Sequence, residues 1–263
     1  MHYIVGYFQG IWDNRYILGS LIKQDLRMKY NKSVLGVAWS IITPIGLAVV
    51  LGLVYSIIFN TDPKTFIPLL FAGINPWNFI IGSADGGTGS FLNAEGYIKQ
   101  VAINPQIFPL RCVVVGFVNL LYSLVAFFAI YLFLAPDIFG PKMLMVFPGL
   151  FIIFGASMSL ANFSSVINLK FRDYQPLQNL IIQALFYVTP IIYTTEMLDE
   201  KGYSWLYKIN PVYYFIEVIR TPILGYNILD VYTYIVAIAI VIFMMFISII
   251  LVMKTCKGLA LKL

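Results

Sequence analysis

The chain alternates long apolar stretches with short charged ones. No Asp, Glu, Lys or Arg falls within 33–61, 65–84, 112–136, 143–169, 174–195 or 231–253. Each run reaches about 20 residues, the length a helix needs to cross a hydrocarbon core of about 30 Å. Inside lipid the backbone must satisfy its own hydrogen bonds, so such runs predict helices. A barrel would show short alternating strands, and these runs do not alternate. The pattern predicts an all-α integral membrane fold with six transmembrane helices at 33–61, 65–90, 109–135, 143–168, 174–195 and 231–253. Residues 1–263 read as a single membrane domain, with no internal repeat and no soluble unit.

Six spans return both termini to one side, and the basic residues choose it. Arg15, Lys23, Arg27, Lys29, Lys32, Lys99, Arg111, Lys170, Arg172, Lys254, Lys257 and Lys262 share the terminal side, while Lys64, Lys142, Lys201, Lys208 and Arg220 lie across from them. The positive-inside rule therefore predicts cytoplasmic termini. Composition agrees: 60% of residues are hydrophobic and 11% charged, against about 45–50% and about 25% in soluble domains. Mean hydropathy is +0.85. The net charge of +5 reflects this sidedness and implies no nucleic-acid partner. Cys112 and Cys256 fall on the cytoplasmic side, where thiols stay reduced. The lone histidine, His2, argues against a His-dependent metal or catalytic site. Residues 1–13 lack a signal-peptide pattern.

Four segments are not simple spans. Within 1–32, an amphipathic interface helix is predicted from Ile11 onward: Ile11, Leu18, Ile22 and Leu26 share one side, though Arg15, Asp25 and Lys29 intrude on it. It would either anchor on headgroups or dock a partner. The stretch 94–108, "AEGYIKQVAINPQIF", is too polar for lipid and too apolar for a free loop. A short helix at 94–101, ended by Asn104-Pro105, would lie on the headgroups or plug into a cytoplasmic partner, and Pro109 would start the next span. "LKFRDYQP" marks a charged turn between the fourth and fifth spans. The outer segment 196–225 is rich in Tyr, Trp and Ile. Short re-entrant helices broken at Asn210-Pro211 fit it, with Tyr213 and Tyr214 on one of them and Glu217 and Arg220 spaced to pair. Such helices would form an outer gate or an aromatic interfacial belt.

The fifth span carries a polar stripe. Gln175, Asn179, Gln183, Tyr187, Pro190 and Thr194 recur at steps of three or four and share about a third of the helix circumference. Amides and hydroxyls in lipid face a bundle interior or a wet cavity, so the stripe would line a conduit for neutral polyhydroxylated ligands or bond neighbouring helices. Pro44 and Pro190 should kink the first and fifth spans. Gly155 and Ser159 form a small-xxx-small pair, and Asp85 is expected near the cytoplasmic end of the second span. The chain holds no GxxxxGK[ST] loop and no HExxH, CxxC or GxSxG motif, so work on a solute must be powered from outside this chain.

Four stretches resemble one family: "LIKQDLRMKYNKSVLGVAWSIITP", "AGINPWNF", "GTGSFLNAEGYIKQVAINPQIFPLR", and "NLKFRDYQPL" followed by "FYVTPIIYT" and "INPVYYFIEVIRTPILG". In order and over most of the chain, they are similar to the membrane subunits of type-2 ABC exporters for O-antigen, capsule or teichoic acid. The resemblance implies a permease subunit of a bacterial cytoplasmic (inner) membrane transporter, not an enzyme. It implies a homodimer with two copies of a separate ABC ATPase, which binds ATP and Mg. No cofactor would reside in this chain, and the substrate would be a lipid-linked polysaccharide. The segment after the second span would be the coupling helix, docking through Tyr97, Ile98, Lys99 and Val101, with Arg172 and Asp173 as a second contact. The outer segment would be paired gate helices. Trp39 and Tyr55 would join the stripe along the conduit. A drug permease of the same class would have a more apolar cavity and a large insert between the first two spans. A membrane transferase would need clustered Asp, Glu or His, for which Glu196, Asp199 and Glu200 are the candidates.

Overall fold

The structure is a computed structural model describing residues 2–30, 33–101, 103–134, 136, 139–225, 229–256 and 259, without the side chains of 2, 30, 133 and 134. Lys32, Asp137, Lys257 and Lys262 lie outside the described residues. Every regular element described is a helix. Two N-terminal helices, α1 (His2–Asp13) and α2 (Arg15–Tyr30), precede a hairpin of α3 (Trp39–Phe59) and α4 (Pro63–Gly89). The short α5 (Glu95–Gln100) leads into α6 (Ile107–Leu134). After a 3-10 turn (Pro141–Met145) come α7 (Val146–Lys170), α8 (Tyr174–Val188), α9 (Thr195–Asp199), α10 (Trp205–Lys208), α11 (Pro211–Leu224) and α12 (Val231–Cys256).

Local chemistry sets the boundaries. Asn60 ends α3 in the left-handed region, φ 52°, which Asn tolerates better than most residues. Two residues on, the Asp62 carboxylate accepts the Lys64 amide at 2.9 Å and Pro63 occupies the first helical position, so α4 starts abruptly. The α3–α4 hairpin closes where Gly52 lies against Ile67, leaving no room for a Cβ. Helix α6 starts at Ile107 rather than 109; the preceding Asn104-Pro105-Gln106 turn sets the start, and Pro109 falls within the first turn, where its missing N–H costs nothing.

Helices α4 and α7 form the buried axis, and they cross where Gly87 meets the Ala161 backbone. Around them stand α3, α6, α11 and α12. Helices α7 and α12 run parallel: Tyr234 reaches the Met145 carbonyl near their starts, Ser159 meets Met245, and Asn162 bonds Ser248 toward their ends. Gly155 lies on the same contact, against Val241. Helix α11 crosses the start of α7, where Gly149 touches the Val218 carbonyl.

Two expectations change. The single amphipathic helix expected from Ile11 to Asn31 is two helices broken at Asn14, whose side-chain amide turns back to the Gly10 carbonyl at 2.8 Å. That break lets α1 pack on α12, with Gly6 against Met253, while α2 packs on α6. Asp25, which intrudes on the apolar side of α2, makes a two-pronged ion pair with Arg111 of α6. Its "wrong" face is a protein face.

The expected fifth span at 174–195 is also not one continuous helix. Among the described residues, five helices are long and apolar enough to cross a membrane: Gly36–Phe59, Pro63–Gly89, Ile107–Leu132, Pro141–Lys170 and Val231–Cys256. Helix α8 stops at Val188, and Thr189 is extended. Pro190 ends the helix instead of kinking it, because its ring disfavours helical backbone at the preceding residue.

Candidate functional site

The sequence-selected side chains fall into four places. At the end where α4 and α7 finish, α5 stands on the buried Phe91 and Ala94. Tyr97, Lys99 and Val101 face outward, and Lys99 pairs in the open with Glu95 at 2.6 Å. Ile98 turns the other way and packs on the core, so it roots the helix. Arg172 and Asp173 are exposed in the turn between α7 and α8. Asn168, just before that turn, ties the end of α7 to the end of α4 by donating to the Thr88 carbonyl at 2.9 Å. The polar residues of 94–108 have local uses: buried Gln106 donates to the Tyr7 carbonyl at 3.4 Å and Asn104 to Gly10 at 3.5 Å. Both tie the segment to α1.

The second place is a groove of about 370 Å³ between α4 and α8. Asn179, Gln183 and Tyr187 form one wall, and Trp77, Ile81 and Asp85 the other. Trp77 and Phe186 pack with ring centroids 5.4 Å apart. Gln175 is exposed on α8 outside the groove lining. Gln178, one position off the stripe, is buried: it accepts the Ser164 hydroxyl and donates to Asp85 at 3.1 Å. It fastens α8 to α7 and α4 near the α5 end. An i, i+4 reading selects Asn179 and Gln183 but passes over this neighbour.

Trp39 and Tyr55 do not join that groove. Trp39 borders a separate one of about 420 Å³ on another face of α4, with Asn75, Asn78 and Asn119. Asn75 donates to Ser123 at 2.5 Å, and the Ser40 hydroxyl donates to Asn119 at 2.9 Å. Lys29 lines the same groove, and burial lowers its pKa. Tyr55 stacks on Phe59, near the opposite end of α3. Amides inside apolar spans are the signal that would have picked out this groove.

At the opposite end, α11 packs across the start of α4 and α7, with α10 against α11. Asn210 accepts the Val212 amide at 3.0 Å and donates to Thr189 at 2.7 Å, joining the α11 cap to the break after α8. Glu217 and Arg220 are both buried and paired. Arg220 also donates to the Pro190 carbonyl at 2.5 Å, and Thr221 donates to Glu217 at 2.8 Å. The backbone group freed by the break at Pro190 thus finds a charged donor. Tyr214 is buried and donates to the Lys208 carbonyl at 2.8 Å. Thr194 lies here, not on the α8 groove, in a cavity of about 250 Å³ with Glu196, Tyr213, Glu217 and Arg220. Hydrogen bonds from its own amide and from Thr194 hold the Glu196 carboxyl below its ordinary value.

Chemically, the α4–α8 groove offers the exposed Tyr187 ring beside the Asn179 and Gln183 amides and the Asp85 carboxylate, a combination suited to hydroxyl-rich sugar rings. The α5 end offers a small mixed surface of aromatic, aliphatic and charged groups.

Comparison with known proteins gives one family model, the ABC-2 type transporter, matching residues 16–224. Two proteins of Klebsiella pneumoniae named O-antigen export system permease protein RfbA are 28% and 27% identical over 218 residues, covering 81% of this chain and 79% of theirs. A protein of the same name from Myxococcus xanthus is 24% identical over 204 residues, covering 77% of this chain and 78% of its own.

Proposed function

The chain belongs to the ABC-2 type transporter family, and from that premise we propose that it is the membrane-spanning subunit of an ATP-driven exporter for a lipid-linked cell-surface polysaccharide. The relatives named for O-antigen export support that substrate class; capsule and teichoic-acid polymers are the other substrates that the resemblance implies. The observation that carries the reading is the α4–α8 groove, where the exposed Asn179, Gln183 and Tyr187 line one wall of an open groove with Asp85 and the buried Trp77 on the other.

The proposed unit is two copies of this chain with two copies of a separate ATPase that binds ATP and Mg. It lies in the bacterial cytoplasmic membrane with both termini facing the cytoplasm. The parallel course of α7 and α12 supports a sixth transit: having finished α7, the chain must return the length of the bundle before α12 can start. Helix α8, about 22 Å long at 1.5 Å per residue, provides most of that return, and the segment 189–224 completes it on the outer side. The distribution of charge supports the orientation, because Lys99, Arg111, Lys170, Arg172 and Lys254 cluster at the α5 end.

In this mechanism the partner ATPase engages Tyr97, Lys99 and Val101, with Arg172 and Asp173 beside them. Ile98 carries the push into the bundle, and the Asp85–Gln178–Ser164 bonds pass it from α4 to α8. The α4–α8 groove then opens toward the second copy, and the α9–α11 segment controls the exit. In proteoliposomes holding the complete complex, Gln183→Leu is expected to slow polymer export while leaving ATPase activity in place. Export at the unaltered rate would reduce the stripe to packing. Tyr97→Asp with Lys99→Asp is expected to separate ATP hydrolysis from export; retained coupling would refute the docking surface.

A further inference from the structure

On the α3–α6 flank of α4, toward the Lys64 end, lies an open-sided notch of about 550 Å³. Its floor is aromatic: Phe71 and Phe127 stack face to face at 4.5 Å, and Tyr131 stacks on Phe127 at 5.1 Å. Ala48 and Ile130 form its sides. Among the described residues lining it, Lys64 alone carries a charge. The nearby Asp62 carboxylate accepts the Lys64 amide, and none of the ion pairs among the described residues includes the Lys64 ammonium.

We propose that this notch is a binding site for a membrane phospholipid, with one acyl chain lying along Phe71 and Phe127 and the phosphate on Lys64. The geometry is that of a two-part ligand: an apolar trough about two helical turns deep, with a cation at its rim. Lys64 stands on the first turn of a long helix, where the positive end of the backbone dipole adds to its charge. Its stem can lie along the trough while the ammonium stays at headgroup level. Apolar walls would not retain water, and an unfilled trough would forfeit dispersion contacts along its whole lining. A second copy of the chain fits poorly, because a two-fold contact centred here would set concavity against concavity. The proposal depends on the chain lying in a bilayer and not on what it transports, so its failure and a failure of the export reading are distinguishable.

The test is photo-crosslinking of the complete complex in nanodiscs containing the anionic lipid phosphatidylglycerol with a diazirine on the acyl chain. Labelling is expected on the peptides that hold Phe71 and Ile130. Lys64→Glu should reduce it roughly fivefold or more, the scale of one surface cation's attraction for an anionic lipid. Ile130→Trp, on a half-exposed position that adds bulk to the trough without disturbing the core, should reduce it independently. Labelling unchanged in both variants would overturn the site. So would labelling by a lipid-linked glycan alone, or an Ile130→Cys disulfide between copies that forms at the expense of lipid.

Discussion

Where α4 and α7 finish, charged side chains stand in the open: Lys99 pairs with Glu95 on the exposed face of α5, and Arg172 and Asp173 project from a turn. Where those helices begin, Glu217 and Arg220 are buried and each has a second partner, the Thr221 hydroxyl for one and the Pro190 carbonyl for the other. The same residue chemistry thus serves opposite ends differently. An exposed pair on a six-residue helix adds little to stability and leaves its side chains available to another protein. A buried pair fixes the geometry of a broken backbone, and neither partner can be lost alone without stranding the other.

The largest effect that would break this contrast is at the buried pair. Glu217→Ala leaves Arg220 without its counterion and is expected to cost about 3–5 kcal/mol, read as a sharp fall in thermal stability of detergent-purified protein. The double change Glu217→Leu with Arg220→Met should recover much of that loss, since an apolar pair of similar volume does not strand a charge. Next in size is Asp25→Ala, which strands half-buried Arg111 and should cost about 1.5–3 kcal/mol while freeing α2 from α6; faster amide exchange across α2 would register it. At the open end, Lys99→Ala should cost no more than about 1 kcal/mol and leave the melting curve nearly in place. A large fall there would erase the distinction between the ends.

The smallest effect is the pH response of Glu196. Its folded carboxyl titrates below the ordinary 4.5, so the stabilisation is complete above pH 4.5 and drains away as pH falls through the lower folded value. Because Glu196 is largely exposed, the change should be slight. Thr194→Val, which removes one of its donors, should flatten a melting-temperature profile below pH 5. A profile that steepens instead would place the sensitivity elsewhere.

Charge-free runs made the long helices legible because lipid leaves a twenty-residue apolar stretch little choice but to be helical. What escaped was information carried by partners rather than period. Asp25 looked misplaced until Arg111 stood opposite it. Pro190 sat inside a charge-free run, and hydropathy does not distinguish a kink from an end; the Arg220 guanidinium, thirty residues later, makes the end tolerable. The stripe Asn179–Gln183–Tyr187 was visible by its spacing, and those three do share a groove. Gln175 and Thr194 belonged to the same spacing, and Trp39 and Tyr55 were joined to it through the family resemblance, but in the single chain all four lie off that groove. Gln178 and Asn162, the amides that tie helices together, follow no repeat.

The 86-residue offset between the contacting side chains of α7 and α12 also bears on biogenesis. Ser159 and Asn162 enter the bilayer on α7 long before Met245 and Ser248 exist to receive them. At ribosomal speeds the wait is roughly 4 to 17 s. During that interval the Ser159 hydroxyl can donate to the Gly155 carbonyl of its own helix and Asn162 can meet Tyr7 of α1, while the face awaiting α12 stands against lipid or a provisional neighbour. A membrane-insertion factor that shelters polar faces would therefore matter most for this chain between the emergence of α7 and the arrival of α12.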